Sequence, residues 1–339
     1  MDRETLESTA RSMVAPGKGI LAIDETAPTC SRRFEQAGIA STEESRRAYR
    51  EMLLRAPGLS EYISAAILVD ETIRQSAADG RPMARLAEEA GIIPGIKVDA
   101  GFRPLARAPA EVVTEGLDGL RERLAEYREM GACFSKWRAV IRIGEGTPSR
   151  YCIEANAHAM ARYAALAQEA GLTPIVEPEV LMGGDHDIRR CQEATEAVLC
   201  SVFDQLVFQR CLLEGLILKP NMVTAGEKCP QQADPAEIAR ATVETLRRCV
   251  PAAVPGIAFL SGGQTGEEAC RNLNAMACLG PHPWELSFSF GRALQYPALE
   301  IWGGKEANVP EAQSALLHRA RMSSLARSGR YSPEAERPS

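Results

Sequence analysis

Only six of the 39 basic residues in this chain are lysines: Lys18, Lys97, Lys136, Lys219, Lys228 and Lys305. The remaining 33 are arginines, whose guanidinium does not give up its proton. A lysine retained in such a chain is a candidate for chemistry that needs an amine. Lys219 is the best placed, because it follows the apolar run Leu216–Ile217–Leu218 and precedes Pro220. An apolar setting and a neighbouring cation, for which Lys136 is the candidate, favour the neutral amine. A neutral amine attacking a ketone forms a Schiff base, an electron sink for breaking an adjacent carbon–carbon bond.

That chemistry needs a proton shuttle. Glu177 and Glu179 lie two apart in a strand-like run, so both should point the same way. Two carboxylates held together do not both ionise easily, so one should have a raised pKa and serve as general acid. Asp24 is placed to take a proton from a substrate hydroxyl. Ser261, Gly262 and Gly263 offer backbone N–H groups for a phosphate. Ser289, Gly291 and Arg292 close the same cradle, with a bidentate guanidinium. The glycines serve equally well as tight-turn residues. Arg33 could hold a second phosphate, and Arg32-Arg33 reads equally as a solvated face.

These residues need elements to position them. Eight β-rich apolar runs recur, at 20–24, 64–70, 92–98, 132–140, 173–178, 215–219, 257–261 and 286–290. Several are nearly continuous in apolar residues, as expected of strands buried on both faces. Helical patterns separate them, among them 116–130, 151–170 and 235–249; the last opens on Asp234 and Pro235, a cap followed by a first-turn proline. Eight strands alternating with helices predict an α/β fold, a (β/α)8 TIM barrel in one domain. A doubly wound open sheet is the alternative, but no GxGxxG follows the first strand. In a barrel the strand ends carry the chemistry. Those ends hold Asp24, Lys97, Lys136, Arg138, Glu177, Glu179 and Lys219. The domain is expected over residues 1–322, with an N-terminal and a C-terminal helix, and 323–339 as a loose polar tail.

Composition excludes other classes. The chain has 339 residues, 45% apolar and 25% charged, with a formal net charge of −6. That is globular composition, poorly suited to duplex nucleic acid or an anionic membrane surface. No apolar run is long enough to span a bilayer. Ten scattered cysteines without a CxxC pair read as reduced, mostly buried thiols in a cytosol-like compartment. The N-terminus carries no apolar export signal. The four histidines form no ligand pair, and Asp185-His186-Asp187 reads as a loop with a helix cap, so no metal and no cofactor are expected.

Nine stretches together resemble the class I, Schiff-base fructose-bisphosphate aldolases. They are GKGILAIDE (17–25), GIKVD (95–99), GLDGL (116–120), SKWR (135–138), ARYA (161–164), PIVEPE (174–179), LKPNMVT (218–224), FLSGGQ (259–264) and SFSFGRAL (287–294). The resemblance runs from about residue 10 to 333. The stretches TAPTC (26–30) and PGLSEYISAAIL (57–68) resemble the plastid-type branch somewhat more. The resemblance implies Lys219 as the Schiff-base lysine, Glu177 as general acid and base, and Glu179 as its support. It implies Asp24 acting on the carbon-4 hydroxyl, with Lys136 and Lys97 shaping the site. Ser261, Gly262, Gly291 and Arg292 would hold one phosphate, and Arg33, with Thr29 nearby, the other. Arg138, Gly263 and Ser289 complete the substrate-binding set.

The implied substrate is a phosphorylated sugar, the implied assembly a homotetramer, and the implied setting glycolysis, gluconeogenesis or carbon fixation. The expected location is the cytoplasm, or the plastid stroma if a presequence has been removed. Two departures stand out. The loop after Asp24-Glu25 reads TAPT, whose proline should stiffen the second phosphate site. Tyr331 matches an earlier tyrosine of the family and the last residue is Ser339, so the family's terminal tyrosine is unmatched and slower enamine protonation is expected. Three other readings stand beside the aldolase: a Schiff-base barrel for another sugar phosphate such as sedoheptulose bisphosphate, a phosphosugar isomerase, and a non-catalytic scaffold.

Overall fold

A computed structural model describes residues 2–337. Eight parallel strands close into a barrel: β1 (Gly19–Ala22), β2 (Ile63–Leu68), β3 (Ile93–Lys97), β6 (Phe134–Ile141), β7 (Thr173–Val180), β8 (Ile217–Leu218), β9 (Gly256–Phe259) and β10 (Glu285–Phe290). β1 pairs with β10 on one side and β2 on the other, which completes the ring. All eight expected runs became barrel strands, and the single-domain TIM barrel is the observed fold. The remaining strands, β4 (Phe102–Leu105) and β5 (Ala108–Thr114), form an antiparallel hairpin after β3. The sequence reading missed it, because its first strand is largely exposed and both strands contain proline.

The alternation of each strand explains how charge comes to lie inside. Ile20, Ala22, Ala65, Ile67, Phe134, Ile175, Ile217 and Ala258 form one apolar cluster with Ala10, Met13 and Val14. These are the inward residues of the lower barrel, plugged by the Arg3–Met13 helix and the residue after it. Residues two positions further along the same strands continue inward at the upper end. Phe134 is thus followed by Lys136, Ile175 by Glu177, and Ile217 by Lys219. The outward residues, such as Trp137, Val176 and Leu218, pack against the surrounding helices in a second, larger core.

The Val309–Arg327 helix carries past the expected boundary at 322/323, and Ser323, Ala326 and Arg327 are buried. Tyr331 is also buried, and its hydroxyl donates to Glu336 Oε1 at 2.9 Å. The segment expected to be loose is therefore packed through most of its described length; residues 338 and 339 lie outside the described residues. No helix among the described residues is long and apolar enough to cross a membrane.

Candidate active site

β7 and its neighbours assemble a line of buried charges at the upper mouth. Glu177 places one carboxylate oxygen 2.9 Å from Lys219 Nζ and the other 2.8 Å from Lys136 Nζ. Lys136 also stands 2.6 Å from Asp24 Oδ2. Lys136, Glu177 and Lys219 are each 3% exposed or less. Charges this deep are tolerable only when paired, because removing them from water costs several kcal/mol per ion.

The pairing inverts one expectation. Burial alone would raise the Glu177 pKa, but Lys136, Lys219 and Arg138 outweigh it and hold the carboxyl below its usual range. Asp24 is likewise held down, its burial overcome by Lys136 and Lys219. Burial pulls on Lys136 in the opposite sense, yet Asp24 and Glu177 keep its pKa above that of an ordinary lysine. Glu177 and Glu179 were expected to crowd each other, raising the pKa of one. Instead Glu179 is taken by Arg138, whose Nε and Nη2 both lie 2.5 Å from its Oε2. A second expectation also changes. The charged group touching Lys219 is a carboxylate, and Lys136 stands on the far side of it.

These residues line a cavity of about 370 Å³. All the sequence-selected positions border it: Asp24, Thr29, Arg33, Lys97, Lys136, Arg138, Glu177, Glu179, Lys219, Ser261, Gly262, Gly263, Ser289, Gly291 and Arg292. Gly262 and Gly263 adopt positive φ, +56° and +93°, which bends the chain after β9 over the cavity. Gly291 caps the Arg292–Trp302 helix, so Arg292 opens that helix beside its N–H-rich end. The Ser289 hydroxyl is buried, has no hydrogen-bond partner among the described residues, and borders the same space.

The TAPT segment is helical rather than a loop. Thr26 caps the Ala27–Gln36 helix and Pro28 sits in its first turn, where proline costs no hydrogen bond. Thr26, Thr29 and Arg33 follow at helical spacing and all border the cavity. Arg33 forms an ion pair with Glu25, whose Oε1 also accepts from Gln295 Nε2 at 2.9 Å.

Several members of the site were given no role from the sequence, although Glu25 and Asp99 were read as strand-end residues. Asp99 accepts from Lys97 Nζ at 2.5 Å and so fixes that lysine; its place two residues beyond Lys97 was the available signal. Asn221 accepts from the Val180 N–H at 2.9 Å, fastening the chain after Lys219 to the end of β7. Glu25 and Gln295 are 270 residues apart, and nothing local in the sequence marks that contact. Asp187 caps the Ile188–Phe208 helix, accepting from Arg190 N at 2.8 Å, as its position suggested.

Known proteins match the whole architecture. The sequence profile described as fructose-bisphosphate aldolase class-I matches residues 5–339. A probable fructose-bisphosphate aldolase class 1 of Xanthomonas campestris is 58% identical over 98% of this chain and 99% of its own. Fructose-bisphosphate aldolase B of Gallus gallus is 50% identical over 97% and 91%. The chloroplastic fructose-bisphosphate aldolase 1 of Chlamydomonas reinhardtii is also 50% identical, over 98% and 88%. A solved fructose-bisphosphate aldolase from Plasmodium falciparum superposes with a TM-score of 0.96 at 47% identity, covering 97% of this chain and 95% of that one.

Proposed function

Because the chain belongs to the class-I fructose-bisphosphate aldolase family, lyases that cleave fructose 1,6-bisphosphate reversibly into dihydroxyacetone phosphate and glyceraldehyde 3-phosphate, we propose the following roles for its buried charges. Lys219 passes a proton across 2.9 Å to Glu177 and attacks the ketone carbon as the free amine. Glu177 returns that proton to the carbinolamine hydroxyl, which leaves as water. The resulting iminium accepts the electron pair of the carbon 3–carbon 4 bond as the carbon-4 hydroxyl gives up its proton. The aldehyde departs, the enamine is protonated at carbon 3, and water releases Lys219.

Lys136 holds Asp24 and Glu177 in place as a fixed ammonium. Asp24 receives the hydrogen bond of the carbon-4 hydroxyl. Arg138 is oriented by Glu179, and Lys97 by Asp99. One phosphate is held by Ser261, Gly262, Gly263, Ser289, Gly291 and Arg292. The other is held by Thr29 and Arg33 on the first turns of the Ala27–Gln36 helix. The chain works as a homotetramer in the cytoplasm, and exposed Val207 and Phe208 offer apolar surface for contact between copies.

The placement of Glu177 between Lys219 and Lys136 carries this reading. The test is to trap the intermediate: dihydroxyacetone phosphate with EDTA, borohydride reduction, and mapping of the adduct by mass spectrometry. A reduced adduct on Lys219 is expected. An adduct on Lys136 or Lys97, or none on folded protein, would overturn the assignment.

A further inference from the structure

We propose that Cys200 and Cys249, on the outer wall of the barrel, are a reversible dithiol–disulfide pair that reacts by exchange with low-molecular-weight disulfides. Their sulfurs lie 3.1 Å apart, across the seam between the Ile188–Phe208 and Pro235–Cys249 helices. The thiols were expected to be mostly buried, yet only five of the ten are, and Cys200 is exposed while Cys249 is half-buried. Burial of a small apolar side chain therefore does not account for either position.

The seam holds the two sulfurs in register. Gln192, Glu196 and Cys200 recur every four residues and form one ridge of the first helix. Arg248 reaches across to Glu196 at 2.7 Å, and Gln192 to Glu244 at 3.4 Å. Cys249 Sγ lies 3.6 Å from the Glu196 carbonyl. Cys249 is the last residue of its helix, and Val250 already leaves in an extended conformation. A terminal residue with that freedom can close the roughly 1 Å that separates this contact from a bonded pair at about 2.05 Å.

The order of reaction follows from access. The Cys200 thiolate attacks one sulfur of the incoming disulfide, forming a mixed disulfide and releasing one thiol. Cys249 then attacks the Cys200 sulfur, loses its own proton and expels the second thiol. Two S–H bonds are lost, one S–S bond is made, and the small disulfide is reduced to two thiols. Burial and the neighbouring sulfur hold the Cys249 thiol above its usual pKa, which suits the resolving rather than the attacking role. The bond joins residues 49 apart, so it restricts the unfolded chain and should raise stability.

The test treats the full chain with oxidised glutathione and then digests it with trypsin without reduction. The expected product links peptide 191–210 to peptide 249–271, with two fewer titratable thiols and full reversal by dithiothreitol. Because each peptide holds a second cysteine, Cys191 or Cys270, Cys200→Ser and Cys249→Ser must each abolish the link. Both variants keep their basal aldolase activity. The melting temperature should rise by about 3 °C or more on oxidation in the wild type and in neither variant. A glutathione adduct on Cys200 that persists beside a free Cys249 would overturn the proposal, as would a link through Cys191 or Cys270, or an unchanged melting temperature.

Discussion

Glu177 meets Lys219 at 2.9 Å from the adjacent strand, so the proposed nucleophile and its proposed proton acceptor are already in contact. The amine can therefore be freed by a short transfer within the site.

Replacing that acceptor should separate binding from chemistry. Glu177→Gln keeps the shape and removes the base, so kcat should fall by about 10²- to 10⁴-fold. The rate of borohydride-trappable adduct formation should fall in parallel. In the wild type the carboxyl is held below its usual range, with burial overcome by Lys136 and Lys219. Glu177 therefore remains a base as pH drops through the ordinary carboxylate range. The acid limb of single-turnover imine formation should lie below that range. A limb at or above an ordinary glutamate would contradict the pairing.

Lys136 is predicted to hold the site together electrostatically. Lys136→Met leaves Asp24 and Glu177 buried with one of their cations gone. Breaking a buried pair costs about 3–5 kcal/mol, and Lys219 remaining on Glu177 favours the lower end. Asp24 and Glu177 both have folded pKa values below their unfolded ones. Their contribution is present above the unfolded carboxylate pKa and is lost as pH falls through the folded pKa. Without Lys136 those folded values rise and the buried carboxyls take up protons sooner. The deficit in urea-induced unfolding should thus be largest near pH 7 and narrow toward pH 5. A constant deficit would count against this account.

The proposed phosphate role of Arg33 can be tested separately from that of Arg292. Arg33 lies on the helix whose first turn carries Thr29, and its guanidinium is committed to Glu25, which precedes that helix. A phosphate arriving there must take over that guanidinium. Losing a hydrogen bond to a charged group costs about 1.5–3 kcal/mol. Arg33→Ala should therefore lower kcat/KM for the bisphosphate by about 10- to 150-fold. A ketose carrying only the phosphate beside its ketone should be cleaved almost as before. Equal losses on both substrates would move Arg33 into the cradle with Arg292.

The sequence exposed the site's members more readily than its electrostatics. Lys219, Lys136 and Glu177 were legible because each interrupts an apolar run at the alternate position that faces inward. The sign of the Glu177 shift was not legible. It depends on Lys136 and Lys219 closing on one carboxylate from strands on either side, a consequence of strand order in the sheet that no local spacing encodes. The same holds for Glu25, whose partner Gln295 comes from the opposite end of the chain. The β4–β5 hairpin was missed for a local reason, since Pro104, Pro109 and its exposed residues resemble a loop.

Strand pairing also makes the site depend on a glycine that does not line the cavity. Gly95 pairs directly with Phe134, and two residues up the same strand pair Lys97 stands beside Lys136. The Phe134 ring occupies the space a Cβ on Gly95 would need. Phe134 belongs to the inner core and lies two residues below Lys136 on the same face of β6. Gly95→Ala must therefore displace the ring, and overpacking of this kind costs about 1–3 kcal/mol. Ile20, Ile67 and Ile175 share the inner cluster with that ring, so a displaced ring presses on a filled interior that has Lys136 directly above it on β6. Thermal melting should show the loss, and kcat should fall as well, although no active-site residue has changed. Adding Phe134→Leu removes the clash, so the double variant should be more stable than the sum of the single effects predicts. Strict additivity would show that the ring and the glycine do not compete for the same space.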